Sequence, residues 1–167
     1  MSTKGVLFRL LFFLAFSHSD IVSAGTWYVN AGATEPRDGR SMETGFETIQ
    51  DGIDAAAHGD TVMVAPGTYF ENIHFKGKSI ILRSTDPFDP DVVANTIIDG
   101  DESGPVVTFA GTEDERCGLS GFIIRNGEAA NGGGICGGTF VERTHATIRN
   151  NIIVDNFATC SGGGLAF

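Results

Sequence analysis

Asp99, Asp101 and Glu102, in the segment IIDGDESG, form the densest acidic cluster beside an apolar run. Carboxylate oxygens of this kind are what a hard cation such as calcium takes as ligands, although the regular ladder of a calcium loop is missing. The competing reading is a solvated turn beside the Asp-Gly bend. Arg125 and Arg149 leave the ends of apolar runs and could meet an acidic ligand. A cation held by the carboxylates would neutralise a bound uronate and acidify its C5 proton, and Arg125 is then the first candidate for the base that removes it. Otherwise Arg125 is an exposed strand residue balancing nearby acids.

Other polar residues read as structural. Glu113-Asp114-Glu115 and the DPFDPD run from Asp86 to Asp91 combine charge with proline and are expected to be projecting loops. His74 lies between Ile73 and Phe75, so alternation along a strand turns it outward. His58 and His145 fall at a helix end and in a loop. Trp27 and Tyr28 could stack on sugar rings or pack at the N-terminal end. The cysteines are Cys117, Cys136 and Cys160, an odd number that leaves at least one thiol unpaired within the chain, and which of them pair is left open. No CxxC occurs and the spacings are not those of a zinc site.

The N-terminus carries an export signal. Lys4 and Arg9 precede and flank an apolar core, LLFFLAF, and Val22-Ser23-Ala24 supplies the small residues that a signal peptidase reads, which sets cleavage before Gly25. The core is well short of the roughly 20 residues needed to cross a bilayer. Residues 25–167 are thus the mature domain, secreted or at the cell surface, with no transmembrane segment. They keep 9 of the 11 basic and 20 of the 21 acidic residues, a net charge of −11. That balance argues against nucleic acid and anionic membranes as partners, and an acidic polysaccharide would need a basic stripe or bridging calcium.

The elements that must carry these residues are short. Runs such as TVMV, SIIL, VVTF and NIIV are rich in Val, Ile, Phe and Thr and are separated by Gly, Asn, Asp or Pro, which is the pattern of strands. Gly121 to Ile135 (GFIIRNGEAANGGGI) aligns without a gap on Asn151 to Leu165 (NIIVDNFATCSGGGL) at an offset of 30. A period of this size with short strands predicts a β-solenoid, in which equivalent residues stack. The alignment puts Ile123 in the core, Ile124 near Val154, Ile135 near Leu165, and Asn126 on Asn156. One helix is legible: Thr48 as N-cap, Asp51 in the first turn, and Ile49, Ile53, Ala56 and Ala57 on one face. It is expected to cover the open end of the solenoid. The chain stops in GGGLAF with no cap after Leu165, so it is expected to continue beyond Phe167.

These features resemble the pectin-lyase-like superfamily. The likeness runs from GTWYVNAG (25–32) through the segment 47–84, with its PGTYFE from Pro66 to Glu71, to TIIDG (96–100) and the GFIIRNG and GGGI repeats. It is closest to the large secreted bacterial β-helix repeat proteins. The resemblance implies an all-β, right-handed parallel β-helix with a short N-terminal capping helix. The paired catalytic Asp motifs of pectin methylesterases, with their later arginine motif, do not occur, nor do the Asp pairs of polygalacturonases. The expected function is a scaffold or carbohydrate-contacting domain without a catalytic site in these residues, with an extracellular polysaccharide as partner. The alternatives are the N-terminal part of a calcium-dependent pectate-type lyase acting on uronate glycans, and an adhesin-like structural protein. Export is checked directly: protein purified from the producing cell should begin at Gly25, and an intact Met1 or Ser2 would refute it.

Overall fold

The computed structural model describes residues 24–137 and 144–167, so the segment expected to be an export signal lies, up to Ser23, outside the described residues. The described residues are mostly β, with parallel sheets and no closed barrel among them. The first sheet has the order β1 (Thr26–Val29), β2 (Thr61–Val64), β5 (Ile81–Ser84), β8 (Gly118–Ser120), β12 (Thr147–Arg149). The second runs β3 (Gly67–Phe70), β6 (Thr96–Asp99), β9 (Ile123–Arg125), β13 (Ile152–Val154). The third runs β4 (Ile73–His74), β7 (Val107–Phe109), β11 (Ile135–Gly137), β15 (Leu165–Ala166), and a two-stranded sheet pairs β10 (Glu128–Asn131) with β14 (Phe157–Ser161). From β2 onward the chain visits the first, second and third sheets in turn, then begins again. Each strand therefore pairs with the strand one circuit away.

The inward residues of the three sheets share one core. Val62, Leu82 and Leu119 come from the first sheet, Tyr69, Ile98 and Ile124 from the second, and Ile73, Val107 and Ile135 from the third, all buried. Phe75 and Phe109 stack with ring centroids 4.4 Å apart. His74 is exposed, as alternation requires.

The register corrects the gapless repeat alignment. In the second sheet Ile123 pairs with Ile152 and Ile124 with Ile153, an offset of 29. In the third sheet Ile135 pairs with Leu165, an offset of 30. The extra residue enters between them, in the β10–β14 pair: Ala129 is opposite Ala158, but Asn131 is opposite Ser161. A bulge of this kind adds one residue to one strand. Because the side-chain period of a strand is 2, the slip exchanges inside for outside. Ile124 is fully buried over Ile153, whereas Ile152 and Val154 are 49% and 39% exposed, and Ile123 is on the outer face with them. Asn126 and Asn156 likewise have different roles. Asn126 and Asp155 are the matching left-handed corners, with φ of 56° and 53°. Asn156 bridges the circuits, accepting from the Gly127 amide (2.8 Å) and donating to the Ile124 carbonyl (2.9 Å).

Helix α1 (Ile49–Ala55) begins at the expected cap, with the Thr48 hydroxyl accepting from the Asp51 amide at 3.1 Å. It stops at Ala56 rather than running to His58. Gly52 disfavours a helix on propensity, but a Cβ there would lie 2.8 Å from Val29 and 2.9 Å from Val62, so glycine permits the close approach to the first sheet. The DPFDPD run is not only a loop: Asp89 caps a short helix α2 (Pro90–Ala94) with Pro90 at its start. Ile124→Asp should cost several kcal/mol in denaturant unfolding, because it buries an unpaired charge. Val154→Asp, one position from the core in the next circuit, should leave stability nearly unchanged.

Candidate functional site

Asp99 ends β6 and Arg125 ends β9, and the parallel register sets them directly opposite each other. The Arg125 Nε–H donates to Asp99 Oδ2 at 2.8 Å. Asn126, in its left-handed corner, donates its Nδ2 group to both carboxylate oxygens at 3.0 Å, and the Asp101 amide donates to Oδ1 at 3.2 Å. Asp99 is 3% exposed. Burial pushes its carboxyl up, but the Asp101 amide, Asn126 and Arg125 outweigh that and hold it below the ordinary value.

Of the five residues singled out for chemistry, the side chains of two, Asp99 and Arg125, are thus brought together. Asp101 and Glu102 are exposed on the turn that follows, both with positive φ (49° and 56°). Glu102 donates its amide to the Asn126 carbonyl at 2.8 Å, so the turn is pinned through its backbone. Among the described residues no group of three or more His, Cys, Asp or Glu is placed to hold a metal ion. The Asp99 oxygens already accept from three residues, and a cation would have to displace them.

The acids that do most structural work were not distinguishable by sequence. Glu113 is almost fully buried and accepts the amides of Ala110 (2.7 Å), Gly111 (2.8 Å) and Gly77 (3.1 Å). Glu71, the last residue of PGTYFE, accepts the Ile49 and Gln50 amides at 2.8 and 3.0 Å, so it caps α1. Burial, opposed by those two amides, pushes its carboxyl up. Asp60 accepts the Gly25 amide, the Ala57 amide and Trp27 Nε1. Trp27 also stacks on Phe46 at 5.9 Å and lies under Arg40, which commits it to packing at the N-terminal end. Cys117, Cys136 and Cys160 are all free, and burial pushes the Cys117 thiol up to about 12. Arg149 lies on β12 beside Ser120 in the register and takes no part in the Asp99 cluster. No helix among the described residues is long and apolar enough to cross a membrane.

In comparisons with family models, with curated proteins and with solved structures, nothing matches this chain. What the site does is therefore argued from its geometry.

The lowered Asp99 carboxyl has a stability consequence. Its ionised form is favoured in the folded state, so the contribution is present above the unfolded value near 3.8 and is lost as pH falls through the lower folded value. Asp99→Ala should cost about 1–3 kcal/mol at neutral pH, since it strands the Asn126 donors. The difference from the parent, followed by thermal melts, should shrink as pH drops below about 4.

Proposed function

We propose that the chain is a secreted or cell-surface right-handed parallel β-helix domain that serves as a scaffold or a carbohydrate-contacting surface, without a catalytic centre in these residues. The architectural part is supported by parallel strands that return to the same three sheets in a fixed order. The functional part is carried by one observation: the Asp99 carboxylate is enclosed by Arg125, Asn126 and the Asp101 amide. A guanidinium must surrender a proton to act as a base, and this one donates its Nε–H to a buried carboxylate. A calcium ion must gather several oxygens, and the nearest acids are engaged or held apart on the turn.

The surface we assign to sugar contact lies on the same sheet. An open hollow of about 580 Å³ beside α2 combines the apolar Pro66 and Ile97 with the polar Thr68, Asp91 and Asn95. Sugar rings take mixed faces of this kind.

The test is a spectrophotometric assay with polygalacturonate, because the unsaturated products of β-elimination absorb in the ultraviolet. Residues 25–167 should give a flat trace with calcium and with a chelator. A calcium-dependent rise that Arg125→Ala abolishes would sink the non-catalytic reading and restore the lyase.

A further inference from the structure

A partly buried hydrogen bond at the N-terminal end joins Asp60 to Gly25. Asp60 is 6% exposed, and its Oδ1 lies 2.6 Å from the Gly25 nitrogen. Its Oδ2 accepts Trp27 Nε1 at 3.0 Å and the Ala57 amide at 2.9 Å. Among the described residues no Lys, Arg or His side chain forms an ion pair with Asp60. The nearby Lys78 instead donates its ammonium to the carbonyls of Ile53, Asp54 and Ala56. All three donors to the Asp60 carboxylate are neutral, so a cation at any one of them would strengthen its contact.

Gly25 is suited to supply one. The Gly25 carbonyl accepts the Thr61 amide at 2.9 Å, which fixes the residue on the first sheet just before β1. Gly25 is not among the glycines with positive φ, so backbone conformation does not require glycine there. A Cβ at this position would sit 3.3 Å from Asp60 Oδ1, a tight contact, so glycine lets the carboxylate approach the backbone nitrogen closely. Ala24, the residue before it, is exposed.

We infer that cleavage between Ala24 and Gly25 puts a cation at this contact, and that the new α-ammonium of Gly25 forms a partly buried ion pair with Asp60 that locks β1 onto the first sheet. The inference rests on the export reading. Hydrolysis adds the hydroxyl of water to the Ala24 carbonyl carbon and a hydrogen to the Gly25 nitrogen. That nitrogen then takes a proton while the Ala24 carboxyl releases one. An amide that gives Asp60 one neutral hydrogen bond thus becomes a full positive charge at the same place. Charge-assisted hydrogen bonds are roughly twice as strong as neutral ones. The processed chain is therefore more stable than any form that keeps residues ahead of Gly25.

The full precursor is exported from a producing cell in two forms, the natural one and one with Ser-Thr inserted between Ala24 and Gly25. N-terminal sequencing identifies each product. The natural product should melt several degrees above the extended one, and its α-amine should react with an acylating reagent about tenfold more slowly, the effect of one pKa unit. In an Asp60→Asn background both differences should vanish. If Asp60→Asn does not fold, the acylation rates of the natural and extended proteins still decide. A natural product that begins at Gly25 yet melts and reacts like the extended one overturns the ion pair alone. A natural product that begins elsewhere overturns the export reading and the ion pair together.

Discussion

Each strand here obtains its backbone partners from a strand one circuit away, and that constraint organises the rest. Parallel pairing over three or four residues gives few hydrogen bonds per strand, so stability must come from stacking like side chains in columns. The inward column of the second sheet, Tyr69, Ile98, Ile124 and Ile153, is such a stack. A register error of one residue would turn every member of a strand over. The extra residue of the last circuit is accommodated where no core column passes, in the largely exposed β10–β14 pair, after which the third sheet resumes in register.

The same constraint leaves the first circuit with unpaired edges, and α1 answers it through side chains. β4 is the edge of the third sheet, and the Gln50 amide treats it as a strand would: Oε1 accepts the His74 amide at 2.9 Å and Nε2 donates to its carbonyl at 3.3 Å. A helix of 7 residues is marginal alone. Glu71 satisfies its first amides and Lys78 its last carbonyls, so both helix ends are closed by residues of the first circuit. Lys76 adds an ion pair to Asp54 at 2.8 Å. Glu71 and Asp60 share this region but have opposite linkage. Burial raises Glu71, so its ionisation weakens the fold as pH rises through its folded value. Asp60 has three donors, which lower it despite burial, so its ionisation strengthens the fold above the ordinary carboxylate range.

Strand composition, the α1 cap and the recurrence of GFII-type segments were legible because each is a local pattern. The circuit offset was not, since two offsets share one repeat and the bulge between them leaves no mark in ATCS. Hydrophobic Ile152 and Val154 look like core in sequence because their neighbours do. The Asp99–Arg125 pair was legible only as two separate candidates. Their contact depends on a 26-residue circuit between β6 and β9, shorter than the later repeat. Helix α2 was hidden because Pro90 reads as a loop signal, although Pro at a first helical position is favourable.

The acidic composition takes on a different meaning once these contacts are placed. Corners between short strands expose amides that no ladder strand reaches, and an unpaired buried N–H is costly. Carboxylates are well suited to this, because one side chain can accept from two or three amides at once. Asp60, Glu71 and Glu113 each accept two or three backbone amides, and Asp99 accepts one along with Arg125 and Asn126. The net charge of −11 across residues 25–167 therefore includes acids that belong to the framework. A count of acidic residues overstates the carboxylates free to gather a cation. Of the sequence cluster Asp99, Asp101 and Glu102, only the Asp99 carboxylate serves the corner as an acceptor, while Asp101 and Glu102 contribute backbone amides and leave their side chains exposed.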